Sequence, residues 1–268
     1  MAGSKDGRRK PRADGRKAFR LPPVMGHRGA AAHAPENTLA SIRRAAEAGA
    51  RWVEFDVMLT GDGVPVLFHD DSLERVTGEP GLMAETPSAR VAKLDAGAWF
   101  APEFRGEGVP TLRAALDLML ELGLHPSMEI KSTPGRDVET AIAALEVADQ
   151  VWPSERPPPL VSSFSRMSLA AAMTLRPDWP RALITFKIPA DWQTALEALD
   201  CQAFHVFHKV LDWELVSLIH STGRQVATFT VNDKRRAMAF YDAAVDCVIS
   251  DAPERALAAY EQSRAKPD

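Results

Sequence analysis

Residues 52–59 read Trp52-Val53-Glu54-Phe55-Asp56-Val57-Met58-Leu59, an apolar run interrupted twice by acid. Its length and its aromatic and β-branched content suit a β-strand. Side chains two apart on a strand share a face, so Glu54 and Asp56 point the same way. Trp52, Val53, Phe55 and Val57 surround the pair with apolar bulk. On an antiparallel sheet with one wet face, charges at period two are ordinary. A parallel strand is covered on both faces, and a charge there is costly unless paired or bound to a metal.

The segments on either side show that this strand sits in a repeating pattern. A short apolar run, a polar turn and an amphipathic helix recur from Leu21 onward. Strands are expected at 24–27, 52–59, 127–130, 160–163, 182–185, 203–207, 226–231 and 247–250. Helices are expected at about 38–48, 112–122, 137–149, 167–175, 192–199, 213–220 and 234–241. A last one begins near Pro253, where proline in the first turn is favourable. Residues 64–68 follow a Gly-Asp-Gly turn and read as a hairpin-like return. Residues of about 70–110, punctuated by Gly and Pro, break the rhythm and read as an insertion after the second strand.

Strands alternating with helices imply a parallel sheet with helices outside. Eight units in a chain of 268 residues suit a (β/α)8 TIM barrel, which takes roughly 250 residues. A doubly wound open sheet is the alternative arrangement. The expected domain organisation is a disordered basic tail over 1–20 and one barrel over 21–268.

Composition narrows the partners. A formal net charge of −4 and a pI of about 6.0 argue against nucleic acid or an anionic membrane. Cys201 and Cys247 match no metal or redox spacing and read as reduced, buried thiols. No window approaches the 18 or so uninterrupted apolar residues of a membrane span. The basic start, MAGSKDGRRKPRADGRKAFR, contains no apolar stretch of the kind a secretory signal needs. A cytosolic setting is therefore expected, and the oligomeric state, homo-oligomer included, stays open.

A barrel of this kind carries its chemistry at the C-terminal ends of its strands. His27 and Arg28 end the first, Glu54 and Asp56 lie in the second, and His69 follows the return segment. Glu129 and Lys131 end the third, and Asp251 follows the eighth. Glu54, Asp56 and Glu129 pointing into one mouth would repel each other. A hard divalent cation, Mg2+ or Ca2+, relieves such repulsion with oxygen ligands. Ion pairs with Arg28 and Lys131 are the competing reading, and the two coexist where a phosphate bridges the cation and the basic side chains. Two histidines near neutral pKa supply the proton acceptor and donor that phosphodiester cleavage needs.

These residues fall into motifs. Met25-Gly26-His27-Arg28-Gly29 is followed by Pro35-Glu36-Asn37-Thr38, Glu54-Phe55-Asp56-Val57, Pro65-Val66-Leu67-Phe68-His69-Asp70 and Met128-Glu129-Ile130-Lys131. Later come Ser162-Ser163-Phe164, Thr230-Val231-Asn232 and Ile249-Ser250-Asp251-Ala252-Pro253. The ordered set resembles the glycerophosphodiester phosphodiesterases over about residues 21–260. The stretch His205-Val206-Phe207-His208-Lys209 is most similar to their cytosolic bacterial branch.

The resemblance implies hydrolysis of a small-molecule glycerophosphodiester to sn-glycerol 3-phosphate and an alcohol, through a cyclic phosphate. It implies Glu54, Asp56 and Glu129 as cation ligands, His27 and His69 as the acid–base pair, and Arg28 and Lys131 on phosphate. Phe229 stands where many members carry Trp, and would wall the glycerol without an indole donor. Glu36 and Asn37 read equally as motif or as helix start, with Asn37 or Thr38 as cap. His205 and His208 read as structural or at the substrate's edge, and His33, His125 and His220 have no assigned role. Two other activities remain open: a lysophospholipase D-type enzyme with an apolar rim of Leu82, Met83, Trp99 and Phe100, and a barrel that binds glycerophosphates without cleaving them.

Overall fold

The computed structural model describes residues 19–131 and 133–265. Strand β1 (Val24–His27) leads through helix α1 (Leu39–Glu47) into β2 (Trp52–Leu59). The return segment, β3 (Pro65–Leu67), runs antiparallel on β2. After it come α2 (Glu74–Thr77), α3 (Ser88–Val91), α4 (Leu112–Glu121), β4 (His125–Ile130) and α5 (Asp137–Val151). The alternation continues with β5 (Leu160–Ser163), α6 (Arg166–Leu175), β6 (Arg181–Thr185), α7 (Trp192–Ala198) and β7 (Ala203–Phe207). It ends with α8 (Trp213–Ser221), β8 (Gln225–Phe229), α9 (Lys234–Asp242), β9 (Cys247–Ser250) and α10 (Pro253–Arg264). The strands other than β3 are all parallel, and β1 pairs with both β2 and β9, which closes the (β/α)8 barrel. An open sheet is thereby ruled out.

Boundaries differ from expectation where pairing, invisible in one strand's sequence, sets them. β8 stops at Phe229 because its partner β7 ends at Phe207, and residues 230–232 form loop. β4 begins at His125 because Trp52 opposite it already belongs to β2. Thr38, not Asn37, caps α1 by accepting from the Ser41 N–H, while Asn37 takes a left-handed φ of +57°. Of the tail expected over 1–20, residues 1–18 lie outside the described residues. Phe19 packs edge-on against Trp52 at 6.3 Å, and Gln225 bonds Phe19 O and Leu21 N at 3.0 and 2.8 Å.

Alternation along each strand separates two cores. Phe204 and Val206 of β7 face outward and pack with Trp192, Leu196 and Ile219 of the helices. Ala203 faces inward, among Met25, Leu160, Ala182, Ala227, Cys247 and Ile249. Between β3 and α4 a third core, including Leu73, Val76, Met83 and Val91, belongs to the insertion. Its helices escape sequence periodicity because each is only four residues long. Of the residues a lipid rim would use, Met83 is buried in that core, while Leu82 and Trp99 are exposed.

The registers also fix the levels inside the barrel. Asp56 pairs with Glu129, Glu129 with Ser162, then Ala182, Ala203 and Gln225 follow. Continued through the β8–β9, β9–β1 and β1–β2 pairs, this path returns to β2 displaced toward its start. That is the shear of a (β/α)8 barrel, about one residue per strand. Side chains of alternate strands therefore share a level. The lowest holds Trp52, Leu160, Ala203 and Cys247, and the next Met25, Ser127, Ala182 and Ala227. Above them lie Glu54, Ser162, His205 and Ile249, then His27, Glu129, Ile184 and Phe229. Asp56, Phe164, Phe207 and Asp251 stand at the mouth. Polarity thus rises along the barrel axis toward the C-terminal ends of the strands.

At the start of β4, His125 lies 3.9 Å from the Trp52 ring and donates from Nε2 to Pro158 O at 3.1 Å. Burial pulls its imidazole from 6.5 down to about 4. As pH falls through that window the unfolded chain takes up a proton that the folded protein refuses, so stability declines. The urea midpoint should fall between pH 7 and pH 5, and fall less in His125→Phe. Equal slopes for the two proteins would show that His125 carries none of the dependence.

Candidate active site

The loop after β1 is shaped by two glycines. A Cβ on Gly26 would lie 2.2 Å from Gly29 O, and one on Gly29, at φ +91°, would lie 2.1 Å from Ser41 Oγ. The chain therefore folds back tightly onto α1, and Arg28 between them adopts φ +50°. That conformation costs on the order of 1 kcal/mol for a non-glycine residue. It is held because Arg28 O accepts from Ser41 Oγ and Asn37 N, at 2.6 and 3.0 Å. The Arg28 N–H then donates to Glu54 Oε2 at 3.1 Å.

Glu54, Asp56 and Glu129 each bring a carboxylate oxygen within 4.8 Å of the others, and all three are buried. Asp56 is the best compensated. Arg28 Nε lies 3.1 Å and Lys131 Nζ 3.3 Å from its oxygens, and Asn37 Nδ2 donates to it at 2.8 Å. Despite burial, these partners hold Asp56 below the usual carboxylate range. Lys131 also donates to Glu129 at 2.8 Å, yet burial and Asp56 push Glu129 up. Among the described residues no lysine or arginine side chain pairs with Glu54. Burial and the charge of Asp56 push it up to about 8. Two cations thus leave three carboxylates short of balance, and an all-oxygen set of this kind fits a hard divalent cation.

Two histidines flank the triad, each backed by a carboxylate. His27 Nδ1 lies 2.6 Å from Asp251 Oδ1. Asp251 is itself fixed by Asn232, whose Nδ2 donates to Oδ2 at 2.6 Å and whose Oδ1 accepts from the Asp251 N–H at 2.8 Å. Burial opposes protonation of His27, but Asp251 and the charge of Glu54 outweigh it and hold the imidazole above its ordinary value. His69 Nδ1 lies 2.6 Å from Asp70 Oδ1. Burial, with Arg28 and Lys131, holds His69 below its ordinary value against the pull of Asp56 and Asp70. In both rings the carboxylate on Nδ1 leaves Nε2 for other chemistry.

An arginine from the insertion ties the parts together. Arg75 of α2 donates to Asp70 from Nε at 2.5 Å and to both oxygens of Glu36 at 2.8 and 2.7 Å. Glu36 in turn accepts from Arg28 Nη1 at 2.7 Å. Alternating charges therefore run from His69 through Asp70, Arg75 and Glu36 to Arg28.

The structure thus gathers His27, His69, Arg28, Lys131, Glu54, Asp56 and Glu129 at one mouth. Phe229 stands on the other side of that mouth, in a ring cluster with Phe164, Phe186 and Phe207. His208 lies in the loop after β7, and His33 and His220 form surface pairs with Glu254 and Asp246. The residues to which the sequence assigned no role are Asp70, Arg75, Asn232 and Asp251. Asp251 had a signal: it follows the strand that barrel closure sets beside β1, which ends in His27.

Residues 27–255 match the glycerophosphoryl diester phosphodiesterase family. The chain belongs to this family. It is 32% identical over 238 residues to a glycerophosphodiester phosphodiesterase of Caldanaerobacter subterraneus, spanning 86% of this chain and 94% of that protein. It is 31% identical over 249 residues to one from Bacillus subtilis, spanning 86% and 84%. The solved structure of an Oleispira antarctica phosphodiesterase in complex with the product sn-glycerol-3-phosphate superposes with a TM-score of 0.87. That protein is 42% identical, and the match covers 90% of this chain and 97% of that one. The resemblance read from the motifs therefore holds: the chain is an enzyme of this class, a hydrolase of glycerophosphodiesters, and it shares the family's barrel fold. Among its described residues no helix is long and apolar enough to cross a membrane.

Asp251 can be tested as a positioning residue. Asp251→Asn removes the charge that steadies His27 and turns an amide N–H against either His27 Nδ1 or Asn232 Nδ2, and kcat should drop by roughly 10²–10⁴. KM should move little. A wild-type kcat would detach Asp251 from the chemistry.

Proposed function

We propose that the enzyme hydrolyses glycerophosphodiesters to sn-glycerol 3-phosphate and an alcohol in a cation-dependent, two-step reaction through a cyclic phosphate. The observation that carries this reading is the buried triad, undercompensated at Glu54 and flanked by two carboxylate-backed histidines. The sn-glycerol-3-phosphate held by the Oleispira phosphodiesterase supports the same product here.

Glu54, Asp56 and Glu129 would hold Mg2+ or Ca2+, which supplies Lewis acidity toward the phosphoryl oxygens. Arg28 and Lys131, already turned to Asp56, bind the phosphate oxygens and stabilise the charge that builds there. His27 Nε2 takes the proton of the glycerol 2-hydroxyl, whose oxygen bonds to phosphorus. The bond to the leaving alcohol breaks as His69 Nε2 gives that oxygen its proton. In the second step His69 takes a proton from water, the water oxygen bonds to phosphorus, and His27 returns its proton to the departing 2-oxygen.

Intrinsic strengths follow this division. Against burial, the Asp251 carboxylate on Nδ1 strengthens His27 as a base, while burial with Arg28 and Lys131 nearby strengthens His69 as an acid. Phe229 faces the carbon side of the glycerol. The free, buried thiols of Cys201 and Cys247 support a reducing, cytosolic setting for this activity.

A second reading, a lysophospholipid as substrate, rests on Phe186, which is 55% exposed beside Phe164 and Phe229 at the mouth.

The test offers glycerophosphocholine, glycerophosphoethanolamine and a lysophospholipid to the purified protein, with and without chelator. Release of glycerol 3-phosphate should stop with chelator and return with Mg2+ or Ca2+. Binding without turnover under any cation would instead support a scaffold. His69→Ala should lower turnover by about 10²–10⁴ with the fold retained; a near wild-type rate would remove His69 from the acid–base pair.

A further inference from the structure

His205 stands in the middle of β7 with Ala203 below it and Phe207 above it on the inward face. It is 1% exposed, and its Nε2 is buried without a hydrogen-bond partner. Burial alone pushes the imidazole down to about 3, so the ring is neutral, with one N–H and one lone pair to satisfy. A buried polar atom left unpaired is costly, and in a native protein it calls for a ligand or a water.

Its position separates those alternatives. β7 lies across the barrel from β2, and His205 shares a level with Glu54, Ser162 and Ile249. Directly above are His27, Glu129, Ile184 and Phe229. The mouth is thus divided into an ionic side, built from β1, β2, β4 and β9, and an aromatic side, built from β5 to β8. Phe164 stacks on Phe186 at 4.8 Å, and Phe207 and Phe229 complete that wall with carbon alone. Beneath it, Ser162 Oγ is already turned to Met128 O at 3.5 Å, and Ile184 and Ile249 have no polar side-chain atom. The unpartnered nitrogen of His205 is the polar group at the foot of the aromatic wall.

On the hydrolytic reading, a glycerophosphodiester anchored by its phosphate on the ionic side would place its 2-hydroxyl toward His27. The primary hydroxyl of the same glycerol would then extend past Phe229, losing its water partners against phenyl rings. We propose that His205 hydrogen-bonds this primary hydroxyl and so is a specificity-determining residue for the glycerol unit. The inference rests on the hydrolytic reading above. It also accounts for a polar side chain that, unlike Ser162 on the same level, finds no partner within the protein. The competing occupant is an internal water shared with Ser127, whose Oγ is likewise buried and unpartnered one level lower, on β4.

The test compares glycerophosphocholine with 2-hydroxypropyl phosphocholine, which keeps the attacking hydroxyl and the leaving alcohol and lacks only the primary hydroxyl. Wild type should favour the glycerol compound by at least about tenfold in kcat/KM. In His205→Leu that ratio should collapse to about one, and His205→Asn, which keeps a donor, should restore part of it. Equal losses on both diesters in His205→Leu, or no preference in wild type, would overturn the proposal in favour of an internal water.

Calorimetric binding of sn-glycerol 3-phosphate against propane-1,2-diol 1-phosphate repeats the comparison without turnover. Discrimination in binding, lost in His205→Leu, with no cleavage under any cation would sink the hydrolytic reading and keep His205. Cleavage with an unchanged substrate ratio would do the reverse. Neither binding nor cleavage would end both.

Discussion

Glu54, Asp56 and Glu129 place three buried carboxylates within 4.8 Å of one another at the barrel mouth. At an effective dielectric constant near 20, each charged pair at that distance is opposed by about 3 kcal/mol. Arg28 and Lys131 compensate Asp56 first, and the deficit falls on Glu54. Much of the surrounding architecture serves to hold this repulsion in place. The left-handed Arg28 backbone aims an N–H at Glu54, and the Asn37 amide clamps Asp56 from both its side chain and its main chain.

The same crowding organises the acid–base groups. His27 sits against Glu54 and His69 against Asp56, close enough for each carboxylate to act on the imidazole's charge. Each ring is locked by a carboxylate on Nδ1, and each of those carboxylates is locked in turn, by Asn232 in one case and Arg75 in the other. Arg75 comes from the insertion, whose own small core lets a four-residue helix present a guanidinium at a fixed distance. An insertion without that core would leave Asp70 and Glu36 without the guanidinium that joins them.

Opposite the charges, the barrel wall is mostly apolar, and His205 is the side chain there with a buried, unpartnered nitrogen. Shear explains its position. With pairing that drifts one residue per strand, a level is filled by residues far apart in sequence. Glu54 and His205 face one another because of that drift, although their strands never pair.

Much of the fold was legible in one dimension. Alternating apolar runs and amphipathic helices identified the eight barrel strands, and the Glu54–Asp56 spacing placed two acids on one inward face, because backbone periodicity is local. Thr38 and Pro253 marked helix starts for the same reason. The motifs His27-Arg28, His69-Asp70 and Glu129-Lys131 brought the site residues into view. What stayed hidden depends on closure. That Asp251 backs His27, that Arg75 joins Asp70 to Glu36, and that His205 lies level with Glu54 follow from the β9–β1 pairing, the fold of the insertion and the shear. Local chemistry along the chain chose the groups, while the geometry of a closed barrel chose their partners, since distances across it are set by strand count and stagger rather than by separation in sequence.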